Sequence, residues 1–256
     1  MALALPNSVF FHIPRTGGTW VRHAIKNAEI KSYEVNCFFC KKSSEYNNTS
    51  YFHNNFDTVN TSVLEGKFRF AFVRHPLRFY QSIWKYKMVC GWDKDNDFDM
   101  ACASDSFEEY VDNCFKFSER GMVTSIYQWY LGEDLSYVDF VGKQEYLYLD
   151  LVTALTLAGE NFDEEKLFST SLKNNFSGNI DLPEQCEYSP ALKQRVLDRE
   201  EWVLKIFNYE DEPVDFIPNV NISNTNSSSN NHYYQPPLTL PLPLRGERRK
   251  GKDPEY

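Results

Sequence analysis

Two short clusters in the chain combine residue types suited to holding anions. The first is Arg15, Thr16, Gly17, Gly18 and Thr19, within "FFHIPRTGGTW". Glycines let a turn aim several backbone N–H groups at one point, and a helix start adds the positive end of its dipole. An arginine and two hydroxyls beside that point suit a phosphate-like group. The second cluster pairs Arg74, in "FRFAFVRHP", with Ser82 eight positions on. A guanidinium and a hydroxyl there suit a second phosphate of the same ligand. An ordinary β–α turn with an incidental arginine is the bland alternative for the first cluster alone.

Each cluster needs a strand and a helix to position it. "SVFFHI" reads as a buried strand, and "GTWVRHAIKNA" after the glycines as a helix. Residues 67–73 alternate and then become continuously apolar, as a central strand does. Pro76 suits a first helical turn, and 77–88 carries helical periodicity. An acidic loop, "CGWDKDNDFDMACASD", follows, then helices near 106–116 and 122–131 and a third strand at 137–142. "EYLYLDLVTALTLAG" reads as a helix closed by Gly159. Ser189 caps and Pro190 opens a helix through "ALKQRVLDREEWVLKIF". Strands alternating with helices predict an α/β domain over 1–218: a central, mainly parallel sheet with helices on both faces. Residues 219–256 are polar, then Pro-rich and basic, and are expected to form a disordered appendage.

With 256 residues and a formal charge of −9, the chain suits one globular domain and argues against general nucleic-acid binding. Any anion site must therefore be a local basic pocket. No run of about 18 apolar residues predicts a membrane span. "MALALPNS" lacks the basic start of a secretory signal, so a reducing cytoplasm is the expected compartment. Cys37 and Cys40 form one C-x-x-C, which reads as half a zinc site, a redox pair or buried free thiols. The absence of a completing motif favours thiols.

A Walker A loop requires G-x-x-x-x-G-K-[ST]. Here no lysine follows the second glycine and no glycine opens the loop, which weakens a nucleotide-kinase reading. "FFHIPRTGGTWV" together with "FRFAFVRHPLRFYQSIW" instead resembles the paired signatures of sulfotransferases that use 3′-phosphoadenosine 5′-phosphosulfate (PAPS). The likeness extends into "YVDFVGKQEYLYLDL" and "REEWVLKIFNYED", covering roughly residues 9–211. It implies a P-loop-like three-layer α/β fold of the sulfotransferase type. It also implies that Arg15, Thr16, Gly17, Gly18 and Thr19 wrap the phosphosulfate while Arg74 and Ser82 hold the 3′-phosphate. Trp20 matches a tryptophan that stacks on adenine in one branch; its other reading is a helix residue packed on the sheet. The family most often has lysine where this chain has Arg15. An arginine stabilises charge on the bridging oxygen but does not readily donate a proton.

Sulfuryl transfer needs a base near the acceptor, and no metal is required. His12 and His75 belong to strand-end motifs with packing roles, His23 lies on the first helix and His232 in the tail. His53, in "TSYFHNNFDTV", resembles a histidine of the uronyl 2-O-sulfotransferases ahead of the 3′-phosphate arginine, which implies the base; its alternative is a surface histidine. Glu145 aligns with a recurrent acid and is expected to be structural. "RRKG" near the C-terminus lacks the context of a phosphate-gripping motif and reads as chance. The expected acceptor is a glycan or other hydroxyl compound, with Trp92, Tyr127, Trp129 and Tyr130 as candidate sugar-stacking rings. A binding protein that has lost catalysis is the alternative from another class.

Overall fold

The strand Ser8–Phe11 is followed by His12 and the Arg15 loop and the strand Phe68–Val73 by Arg74, so the parallel pairing of these two strands brings both loops to the same end of the sheet. The computed structural model of the protein describes residues 2–35, 56–170 and 186–213 and the backbone of 238–239. His53, Cys37, Cys40, the boundary at 218/219 and the remainder of 219–256 lie outside the described residues. The strands are β1 (Ala2–Ala4), β2 (Ser8–Phe11), β3 (Tyr33–Val35), β4 (Phe68–Val73), β5 (Phe140–Lys143) and β6 (Leu238–Thr239). They form one sheet in the order β3-β1-β2-β4-β5-β6.

Only the centre is parallel. β2 pairs with β4 and β4 with β5 in parallel, whereas β1 is antiparallel to both β2 and β3. β6 runs antiparallel along the other edge, with Phe140 opposite Thr239. The mainly parallel sheet expected from the strand–helix alternation is thus a parallel core with antiparallel edges. Arg69 and Asp139 lock the β4–β5 register. Arg69 donates through Nε and Nη2 to the Asp139 carboxylate at 3.0 and 2.7 Å, and through its backbone N at 2.8 Å.

The helices are α1 (Gly18–Asn27), α2 (Thr61–Leu64), α3 (Pro76–Cys90), α4 (Asp97–Cys102), α5 (Phe107–Phe117), α6 (Met122–Leu131), α7 (Leu147–Leu157), α8 (Glu164–Phe168), α9 (Pro190–Arg199) and α10 (Glu201–Ile206). Alternate strand residues point to opposite faces, and two apolar clusters result. On one face Phe10, Phe70, Phe72 and Phe140 pack against α1, α7 and α8. On the other, Val9, Phe11, Ala71, Val73 and Val141 pack against α3, α5, α6, α9 and α10. Each of those four phenylalanines is fully buried, contributing about 2 kcal/mol, and truncating one to alanine costs about 3–5 kcal/mol. None of the helices among the described residues is long and apolar enough to cross a membrane.

Three local expectations are corrected. The acidic loop contains α4, because Asn96 caps it by accepting from Asp99 N at 3.0 Å. The third strand starts at Phe140 rather than 137. Tyr137 instead stacks on Phe56 with ring centroids 4.8 Å apart. The helix through 191–207 breaks at Glu200, whose carboxylate serves another helix. It accepts from Val123 N at 3.0 Å and Thr124 N at 2.8 Å, and from the Tyr80 and Thr124 hydroxyls. The Val123 and Thr124 N–H groups are first-turn donors of α6, whose N-cap is Gly121 and carries no side-chain cap. A Cβ on Gly121 would lie 2.6 Å from Glu200 Oε2, so the capping carboxylate needs glycine there.

Candidate functional site

The helix after β2, α1, lies on one face of the sheet, and the helix after β4, α3, lies on the other. In open α/β sheets the crevice where connections diverge in this way, at the carboxyl ends of the strands, is where ligands bind. Both sequence clusters fall there.

The loop after β2 is shaped by two left-handed residues, Arg15 at φ 66° and Gly17 at φ 88°. Gly17 is the N-cap of α1 and offers no side chain to the first-turn N–H groups. Gly18 is required by close approach, since a Cβ would meet His12 Cδ2 at 2.0 Å. The Thr16 hydroxyl is buried and donates to Ile13 O at 2.9 Å, so it holds the turn. Thr19 is exposed on the first turn of α1.

The second cluster comes to the first. Arg15 Nε donates to Ser82 Oγ at 3.0 Å, joining residues 67 positions apart. The Arg15 guanidinium lies over the Tyr86 ring, 4.9 Å from its centroid. Arg74 Nη1 donates to Arg15 O at 3.4 Å, while the buried Arg74 Nε finds no partner among the described residues. Burial, then the nearby Arg74, pull the Arg15 pKa down to about 10. Burial likewise lowers that of Arg74, opposed chiefly by Glu145. Two crowded cations and an orphaned donor beside an uncapped helix start fit an anion.

Further residues hold this arrangement. The Tyr127 hydroxyl accepts from Arg74 N and donates to Arg74 O, both at 2.8 Å. Glu145, buried, accepts from His75 N at 2.8 Å and from the Tyr209 hydroxyl at 3.1 Å, and burial raises its pKa. His75 caps α3: Nδ1 accepts from Leu77 N at 3.2 Å, which makes Nε2 the donor to Glu210 O at 2.9 Å. Glu145 and His75 are therefore engaged structurally. Sequence reasoning missed the Tyr127 clamp and the Tyr86 platform. Tyr86 stands four residues after Ser82, a spacing that shares a helix face and was the available signal.

The structure does not bring every candidate residue to the crevice. Trp20 is 4% exposed, sits among the α1 core residues, and donates through Nε1 to Thr170 O at 3.3 Å. Its placement is that of a helix residue packed on the sheet. Tyr127 and Tyr130 are buried, whereas Trp129 is 48% exposed. An open groove of about 810 Å³ lies elsewhere, between α5, α6, α9 and α10, and is lined by none of the loop residues. Among the described residues, no group of three or more His, Cys, Asp or Glu is arranged to hold a metal ion. Cys102, Cys114 and Cys186 are buried free thiols, and Cys90 is an exposed one.

No family model matches the chain. Comparison with curated proteins likewise gives no match.

Proposed function

We propose that the chain is a sulfotransferase that moves a sulfuryl group from PAPS to an acceptor hydroxyl, on a carbohydrate. The carrying observation is the meeting of the two phosphate-type motifs at the divergence of α1 and α3, with Arg15 Nε 3.0 Å from Ser82 Oγ. The order of the motifs and their strand–helix setting support the resemblance to that family. When bound, the nucleotide supplies an activated sulfuryl group, whose bond to the phosphate oxygen breaks as the acceptor oxygen bonds to sulfur. The N–H groups at the start of α1 stabilise negative charge at the leaving oxygen. Arg74 and Ser82 orient the nucleotide, and His53 takes the proton of the acceptor hydroxyl.

The orientation of Arg15 toward Ser82 favours one second reading, a PAPS-binding protein without transfer. Incubation with PAPS labelled in the sulfuryl group, against glycan, peptide and phenol acceptors, separates the two. Label on a carbohydrate is the expected result. Tight nucleotide binding with no transfer to any acceptor supports the second reading, and phosphoryl transfer from ATP would support a kinase.

A further inference from the structure

The loop's own cation does not serve the loop alone. We propose that Arg15 joins Arg74 and Ser82 in a subsite for a phosphomonoester, leaving the anion at the start of α1 to backbone N–H groups and Thr19. The inference rests on the nucleotide reading above and reassigns one residue within it: the resemblance places Arg15 on the phosphosulfate, and the geometry points to the other phosphate.

The left-handed backbone at Arg15 accompanies a side chain that runs along α3. Its Nε is bonded to Ser82 and its guanidinium covers Tyr86, the next residue on the same helical face. Ser82 is 7% exposed and accepts from Arg15, and no acceptor among the described residues takes its proton. That hydroxyl proton remains available to an oxygen of a ligand. Arg74 contributes an Nε–H that is buried and has no partner among the described residues. Two guanidiniums and a hydroxyl donor match a monoester group, which carries about −1.5 to −2 charges and three acceptor oxygens. A singly charged diester or sulfate ester offers less charge to two arginines.

The full chain is titrated calorimetrically with adenosine 3′,5′-bisphosphate and with AMP, as wild type, Arg15→Asn, Arg15→Lys and Ser82→Ala. Asparagine tolerates the left-handed backbone. Ser82→Ala removes only a hydroxyl and checks the subsite itself, and Arg15→Lys, which keeps the charge but loses the Nε donor to Ser82, keeps the test open should the first variant not fold. Each variant is expected to weaken the bisphosphate by about 10- to 100-fold while changing AMP less than about threefold. Equal weakening of both ligands by either Arg15 variant would return Arg15 to the loop anion and overturn the inference, with the nucleotide reading intact. A wild-type protein that binds the two ligands equally would overturn the reading and the inference together.

Discussion

The phenol of Tyr127 holds both backbone groups of Arg74, accepting from its N–H and donating to its carbonyl at 2.8 Å each. Tyr127 is fully buried on α6, and α6 is anchored at its start by Glu200. The end of β4 is thus fixed by α6. Tyr127→Phe keeps the ring packing against Phe79 and Phe207 and removes only the clamp. It is expected to lower stability by about 1–2 kcal/mol and nucleotide affinity by about tenfold. Denaturant melts and calorimetry on the same sample check both. Unchanged affinity would mean that the clamp is purely structural.

Gly18 and His12 occupy space that two side chains cannot share. Gly18→Ala would place a Cβ 2.0 Å from His12 Cδ2, so the loop or the ring must shift. The expected cost is about 1–3 kcal/mol with loss of nucleotide binding. Adding His12→Ala should restore much of both, because the clash partner is gone. Additive losses in the double variant would show that Gly18 matters for another reason.

His75 makes stability depend on pH. Burial chiefly depresses its pKa from 6.5 to about 4, so the folded protein keeps it neutral where the unfolded chain takes up a proton. Its contribution is full above about pH 6.5 and is lost as pH falls toward 4, for a total of about 3 kcal/mol. His75→Asn keeps a cap acceptor without a titrating ring. The stability advantage of the wild type over this variant should therefore shrink as pH falls through that window. A pH-independent difference would contradict the assignment.

His53 is the proposed base. His53→Ala should lower turnover by about 10²- to 10⁴-fold and leave calorimetric affinity for adenosine 3′,5′-bisphosphate unchanged. Full activity in the variant would remove His53 from the mechanism.

The strand–helix units at β2–α1 and β4–α3 were legible because local signals agree there: an apolar strand, then glycine or Pro76, then helical periodicity. The limits of α6 were legible from Gly121 and Gly132, which bracket it, whereas Ala2–Ala4 is too short to carry a period and owes its strand state to pairing with β2 and β3. The break at Glu200 interrupts an unbroken helical pattern because its carboxylate is drawn to another helix, a tertiary cause. Tyr127 in an apolar helix reads as core, and its packing is core; the hydroxyl's partner is 53 positions away and invisible locally. The motifs located Arg15, Arg74 and Ser82, but the direction of the long Arg15 side chain depends on which helix lies beside it. Trp20, matched by resemblance to a ligand-stacking role, is packed among the core residues of α1, a placement set by tertiary packing.

Affinity for two phosphates on one nucleoside is the central claim. Calorimetric titration of the wild-type chain with adenosine 3′,5′-bisphosphate, AMP and ATP tests it most directly. Binding of the bisphosphate at least about tenfold tighter than that of either competitor is the expected result, since Arg74 and Ser82 then have a phosphate to hold. Equal affinity for the bisphosphate and AMP, or a preference for ATP, would contradict it.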